Sequence, residues 1–286
     1  MNIADALNEM PVSGLDLSRH VTVEAETTVK STIELLNAAA FSCAFVVEDS
    51  ELVGIFTQRD VVTRVLGADG ACDMAIRDVM TPTPRVVSSD ASVNDALAVM
   101  TEMWTRSVPV VDDGEIRGNF SFYTGMKVMA DLLAQKASRT ESDLSAQHGL
   151  MFIDFTGLQM TPAVTLTPDV TVDVAVHHMT ARALGSVLVV NNRESLVGML
   201  SEFDLQTKLA CTGRAPEDVT VDSVMTAEPV SLTVRSPIAD AVARMAEHEM
   251  SHVALVAETG RPLGVATFRD VADYYENSLQ DLVTND

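Results

Sequence analysis

The stretch Gly54-Ile-Phe-Thr57-Gln-Arg-Asp60 decides the fold, because the chain returns to it. The same pattern stands at Gly118-Asn-Phe-Ser121-Phe-Tyr-Thr124, Gly198-Met-Leu-Ser201-Glu-Phe-Asp204 and Gly264-Val-Ala-Thr267-Phe-Arg-Asp270. The four glycines are spaced by 64, 80 and 66 residues. A second marker keeps the same register: Val29, Val93, Val172 and Ile238 each open an apolar helical pattern, at spacings of 64, 79 and 66. A third is Met80-Thr81, Met160-Thr161 and Met225-Thr226. Three markers in one register define four tandem repeats of roughly 65 residues.

Working outward from the glycine of the first repeat, the elements can be read in order. Residues 21–23 form a short strand. Residues 27–40 carry Val29, Ile33, Leu36 and Ala40 at helical spacing, one buried face. The continuous apolar run 43–47 suits a strand covered on both sides. Glu51-Leu-Val-Gly54 turns the chain, Ile55-Phe56 resumes a strand, and residues 59–66 are helical. The expected fold class is therefore α/β or α+β, a β-α-β-β-α unit repeated, with further buried strands at 108–111, 187–190 and 253–256. One such unit buries too little surface to stand alone, so the repeats are expected to pair into shared cores.

The wide middle spacing marks a boundary. The polar stretch from Gln135 to Gln147 reads as a helix extension and linker. It divides the chain into a first pair, residues 1–140 (repeats about 11–70 and 71–136), and a second, 150–286 (repeats about 151–213 and 218–283).

Composition excludes several classes. Of 286 residues, 41 are acidic and 19 basic, a net charge of −22. The lysines are only Lys30, Lys127, Lys136 and Lys208. Nucleic-acid binding needs a positive surface that releases counterions, so none is expected. No apolar stretch reaches the roughly 18 residues of a membrane span. The first residues, with Asp5 and Glu9, lack the basic start of a secretory signal, so the expected location is cytoplasmic. Cys43, Cys72 and Cys211 are odd in number and far apart, and neither a disulfide framework nor a metal site follows from them. Acid in excess of scarce lysine is the composition of halophile proteins, for which molar salt would screen the self-repulsion.

The chemistry-bearing residues follow each glycine. A hydroxyl followed three residues later by an acid, at a strand-to-helix junction, is a helix capping box in which Thr57 caps and Asp60 answers. The same geometry serves a ligand. The helix N-terminus offers free N–H groups and the positive end of a dipole, and a carboxylate there can accept both hydroxyls of a ribose. The residues alone leave both readings open.

With the repeats, the motif G-h-h-[ST]-x-x-D and the Met-Thr-Pro-like entries on the page, the chain resembles cystathionine-β-synthase (CBS) domains over essentially its whole length. The pairs resemble Bateman modules. The resemblance implies paired repeats whose clefts bind AMP, ADP, ATP or S-adenosylmethionine as regulatory ligands, with no catalytic cofactor. It also implies association into disk-like homodimers and an unknown regulated protein partner. By position, Asp60, Asp204 and Asp270 would bind ribose, and Thr57, Ser201 and Thr267 would lie beside ribose or phosphate. Arg106 and His252, ahead of the second strand of their repeats, would reach phosphate, Arg106 for a nucleotide on Asp60 and His252 for one on Asp204. Arg106 otherwise reads as an exposed arginine at a helix end. Arg59 and Arg269 face either phosphate or solvent. The second repeat departs from the pattern, with Thr124 where the acid belongs, so its site is expected to be empty or weak.

Two other classes are kept in view. One is a ligand-free interaction scaffold with vestigial sites, towards which Thr124 leans. The other is an enzyme, for which only His248-Glu-Met-Ser-His252 speaks, matching the H-E-x-x-H of zinc peptidases. The repeat register ends the helix near Met250, so the two imidazoles are expected to diverge. The adjacent His177 and His178 do not face each other on a helix.

Overall fold

The structure is a computed structural model that describes residues 3–137, 154–157 and 160–272. Residues 138–147 of the stretch read as a linker, and the end of the fourth repeat beyond residue 272, lie outside the described residues.

The first repeat shows how the unit forms. Thr28 caps the helix Val29–Ala39 by accepting the Ser31 N–H at 3.2 Å, and Val29, Ile33 and Leu36 turn one stripe inward. The helix ends at Ala40, in the left-handed region with φ 54°. It is the crossover between Val21–Glu24 and Cys43–Glu48, which pair in parallel, and Cys43–Glu48 returns antiparallel to Glu51–Thr57. Residues 43–47 are buried in succession, because the helix covers one face of the sheet and the second repeat the other. The third and fourth repeats copy this order. Ser186–Val190 lies between Thr165–Leu166 and Leu196–Ser201, and His252–Val256 lies between Ser231–Thr233 and Pro262–Thr267. The second keeps the hairpin Ser107–Asp112 with Glu115–Ser121, and its first strand shrinks to a bridge from Val87 to Val110. The fold is the expected α+β repeat.

The Met-Thr marker has a structural cause. Thr81–Pro82 adds an edge to the sheet of the first repeat, and Thr226–Ala227 does so in the third. Thr161–Pro162, which enters the third repeat, instead edges the sheet of the fourth. In the second repeat the segment around Leu17 takes this place, its carbonyl accepting the Asn119 N–H at 2.8 Å. A Cβ on Gly54 or Gly198 would overlap the sulfur of Met80 or Met225, so glycine and methionine must keep one register.

Sheets meet within each half of the chain, helices between the halves. Cys43, Phe45 and Ile55 pack with Ile116 of the second repeat, and Leu188 and Met199 with Ala254 and Val265 of the fourth. The larger apolar contacts run across the halves. One continuous core joins the second and fourth repeats, with Met126, Met129 and Leu133 of helix Phe122–Ala137 in the same cluster as Ile238, Val242 and Met245 of helix Ile238–His248. The first and third repeats exchange single residues: Val62 sits in the core of the third, Ala210 in that of the first.

The cysteines correct the expectation. Cys72 and Cys211 form a disulfide across the contact between the first and third repeats, with Cα atoms 5.6 Å apart. Their separation of 139 residues hides a proximity that only the packing of the halves creates. Disulfides are rare in a reducing cytosol, which sets this bond against the cytoplasmic expectation. Cys43 is free and buried, and burial pushes its thiol up to about 12. Among the described residues no helix is long and apolar enough to cross a membrane.

Candidate functional site

Three of the four motifs fold as reciprocal caps. In the first repeat the Thr57 N–H and hydroxyl both donate to one Asp60 oxygen at 2.8 Å. In the third, the Ser201 N–H and hydroxyl donate to Asp204 at 2.9 and 2.5 Å. In the fourth, both Thr267 groups reach Asp270 at 2.7 Å. The capping reading and the ligand reading share these atoms, and the second carboxylate oxygen separates them.

That oxygen is turned towards the Met-Thr segment. On Asp60 it accepts the Thr81 hydroxyl at 3.3 Å and faces the Arg64 guanidinium at 3.0 Å. On Asp204 it accepts the Thr226 hydroxyl at 2.7 Å and the Lys208 ammonium at 2.7 Å. Burial holds the Asp60 carboxyl above the usual aspartate range, opposed by the Thr57 hydrogen bond and by Arg64. In the second repeat Thr124 replaces the acid. Its hydroxyl meets that of Ser121 at 2.9 Å and lies 3.2 Å from the backbone oxygen of Asp16, so the segment that edges this sheet also covers the cap.

Asp204 and Ser201 open onto a cleft of about 540 Å³ to which all four repeats contribute. The first brings Phe41 and Gln58, the second Arg106 and Tyr123, the fourth Ser251 and His252. Of the residues expected to bind ligand, Ser201, Asp204, Arg106 and His252 thus share one wall system. Thr57 and Asp60 cap their helix outside this lining, as do Thr267 and Asp270. Arg269 stacks on Trp104, its guanidinium carbon 3.5 Å from the ring centre.

One expected pairing and one expected equivalence fall differently. Arg106 lines the cleft with Asp204 and not with Asp60, and there it pairs with Glu202 of the third repeat and donates to the Ser251 hydroxyl at 2.9 Å. The equation of Arg106 with His252 is also one residue out. Strand pairing sets Ser107 opposite Ser121 and His252 opposite Thr267, so Arg106 corresponds to Ser251. His252 therefore opens its strand rather than preceding it. Its Nδ1 meets the Ser251 hydroxyl at 2.9 Å, and its ring lies where a Cβ on Gly185 would be. Burial, then the charges of Arg106 and Arg59, push its pKa down to about 3, so the imidazole is neutral.

Glu202 is the residue the pattern gave no reason to choose. Only 1% exposed, it pairs with Arg59 of the first repeat through one oxygen and with Arg106 of the second through the other. Its backbone N–H donates to the Gly185 carbonyl at 3.0 Å. The signal available in the sequence was an acid at the position filled elsewhere by Gln58, Phe122 and Phe268. Arg19 was missed as well. It lies against Tyr123 at 4.3 Å and Phe41 at 5.4 Å and bonds Glu249 at 2.5 Å on the cleft rim.

The zinc-peptidase pentapeptide divides between elements: His248 ends a helix, Glu249 is left-handed with φ 53°, and His252 begins a strand. Among the described residues no group of three or more His, Cys, Asp or Glu side chains could hold a metal ion.

Four segments, residues 12–67, 76–127, 156–210 and 221–277, match the CBS domain family. Meiotically up-regulated gene 70 protein of Schizosaccharomyces pombe is 23% identical over 321 residues, covering 94% of this chain and 44% of the relative. CBS domain-containing protein CBSCBSPB3 of Arabidopsis thaliana is 26% identical over 286 residues, covering 90% and 51%. The chain spans about half the length of these curated relatives. Among solved structures, protein MJ1225 of Methanocaldococcus jannaschii, described as a candidate archaeal homologue of g-AMPK, shares the fold. Its TM-score is 0.75 over 93% of this chain and 100% of that one, at 17% identity. Four family matches over most of the sequence, on four copies of one β-α-β-β-α unit, make the chain a member of the CBS domain family.

Proposed function

We propose that this chain is a non-catalytic regulatory protein that binds an adenosine-type ligand, AMP, ADP, ATP or S-adenosylmethionine, in the cleft beside Asp204. The observation that carries the reading is a capped carboxylate, flanked by Ser201 and Thr226, on the wall of a cleft built by four repeats. Asp204 would take the ribose hydroxyls, and Arg106, Ser251 and His252 stand further along. Asp60 with Thr57 and Asp270 with Thr267 carry the same cap and are proposed as carboxylates of further sites of this kind. A ligand touching several repeats stabilises one arrangement of them, and that bias is what a protein partner would read. The apolar faces of the helices are already buried between the two halves of one chain, which weighs against the homodimer expected from the resemblance.

The test is thermal unfolding in molar salt with AMP, ADP, ATP, S-adenosylmethionine and NAD, with Asp204→Ala as control. Ligand at about 100 times Kd adds roughly 2.7 kcal/mol to the native state. A rise in Tm with an adenosine ligand that Asp204→Ala removes supports the reading. No rise with any of them favours the second reading, a scaffold without ligand, for which Thr124 and its covered cap speak.

A further inference from the structure

We propose that the cleft selects an adenosine compound whose 5′ substituent carries no phosphate, a thioether nucleoside or a sulfonium, over AMP, ADP or ATP. This rests on the reading above, in which Asp204 holds the ribose and the 5′ end extends towards Arg106 and Ser251.

Charge sets the preference. The arginines lining the cleft are Arg19 and Arg106, and its carboxylates are Glu202, Asp204, Glu247 and Glu249. Each cation already has an anion. Arg106 is on Glu202, Arg19 is on Glu249 at 2.5 Å, His248 stands 3.6 Å from Glu247, and Lys208, outside the lining, is on Asp204 itself. His252 adds nothing, because burial keeps it uncharged. A phosphate would therefore have to draw Arg106 away from Glu202 or share its guanidinium with that carboxylate. Glu202 cannot follow into water, since it is 1% exposed, and it would keep only Arg59. Leaving a buried carboxylate short of a partner is among the costlier changes in a protein. Two or more phosphate charges would then also face Glu247 and Glu249 at the rim.

A thioether asks for none of this, and a sulfonium is drawn to the surplus acid. The remaining lining suits both: Phe41, Met199, Phe203, Pro229 and Met250 offer apolar and polarisable surface for an alkyl-sulfur chain.

The experiment is titration calorimetry of the full chain, at one fixed salt, with 5′-methylthioadenosine, S-adenosylmethionine, AMP and ATP. The expected result is that either sulfur compound binds at least about tenfold more tightly than AMP, with ATP weakest. The arms for the two sulfur compounds distinguish the neutral from the cationic source. AMP or ATP binding as tightly as both overturns this inference and leaves the reading of the site standing. Silence from all four overturns both. Glu202→Gln removes the charge and keeps the shape. It is expected to strengthen AMP about tenfold and to leave 5′-methylthioadenosine within about threefold. Equal changes for both would show Glu202 to be structural only. If that variant does not fold, Glu249→Gln frees Arg19 at the exposed rim and is read the same way, with a smaller gain for AMP.

Discussion

The two halves of this chain touch through two helical contacts, and these are built differently. Between the second and fourth repeats one apolar core runs without a break, helix Phe122–Ala137 against helix Ile238–His248, with Phe122 and Phe268 rings 6.2 Å apart. Between the first and third, the two cores stay separate and trade single residues, Val62 for Ala210, beside a disulfide and a polar contact from Gln206 to Asn37. The cause lies in helix length. Phe122–Ala137 has 16 residues, whereas its counterpart Glu202–Lys208 has 7 and offers a shorter apolar face. The comparison teaches that one side is held by burial and the other by a covalent bond. The cleft lies where both contacts converge, with Arg59 and Arg106 meeting on Glu202.

Removing the covalent bond should have the largest effect. Closing a loop of 139 residues restricts the unfolded chain, and Cys72→Ser is expected to cost about 4 kcal/mol of unfolding free energy. The loss is global in origin but should be uneven across the two contacts. In hydrogen exchange, amides of Val61–Val65 and Glu202–Lys208 should lose more protection than those of Ile238–His248. An equal loss on both sides would erase the distinction. Next comes the apolar side. Met126 is fully buried in the joint core, and Met126→Ala should cost about 3 kcal/mol in denaturant unfolding, felt by both repeats at once. Val62→Ala, in the exchanged contact, should cost about half as much.

The fold was legible because its causes are periodic. The glycine, the helical apolar stripe and the Met-Thr segment recur, and each reports a local constraint: the glycine for the methionine above it, the stripe for the sheet beneath it. The caps were legible for the same reason. What was not legible depends on how repeats meet. Glu202 acquires its role only when Arg59 and Arg106 arrive from two other repeats. Cys72 finds Cys211, and Arg19 finds Glu249, only across the contact between halves. The misplacement of His252 has a different origin. The apolar run from Val253 resembles that from Val108, and only strand pairing shows that His252 already belongs to the ladder.

His252 gives an effect smaller than that of Met126. Its folded pKa, about 3, lies below the ordinary 6.5. The unfolded chain therefore takes up the proton first as pH falls. The stability owed to the neutral ring is complete above pH 6.5 and declines from there towards pH 3. Between pH 7.5 and pH 5 it should amount to about 2 kcal/mol. His252→Gln, which titrates nowhere in this range, should lose that much less stability than the parent over the same interval. Identical pH profiles would show that the ring is not held neutral against Gly185.

The smallest expected effect tests whether polarity in the weaker contact is needed at all. Gln206 is fully buried, donates to the Asn37 side chain at 2.9 Å, and its carbonyl oxygen finds no partner among the described residues. A hydrogen bond of this kind contributes about 1 kcal/mol, and a buried carbonyl without a donor costs a similar amount. The two nearly cancel. Gln206→Met keeps the volume, removes the unpaired oxygen, and leaves Asn37, which is half-buried, free to turn to water. Its unfolding free energy should stay within about 0.5 kcal/mol of the parent, whereas Gln206→Ala, which leaves a cavity, should lose about 2 kcal/mol. A loss from Gln206→Met as large as that from Gln206→Ala would mean that the bond to Asn37 sets the register of the first and third repeats. The disulfide would then reinforce an interface already specified by polarity.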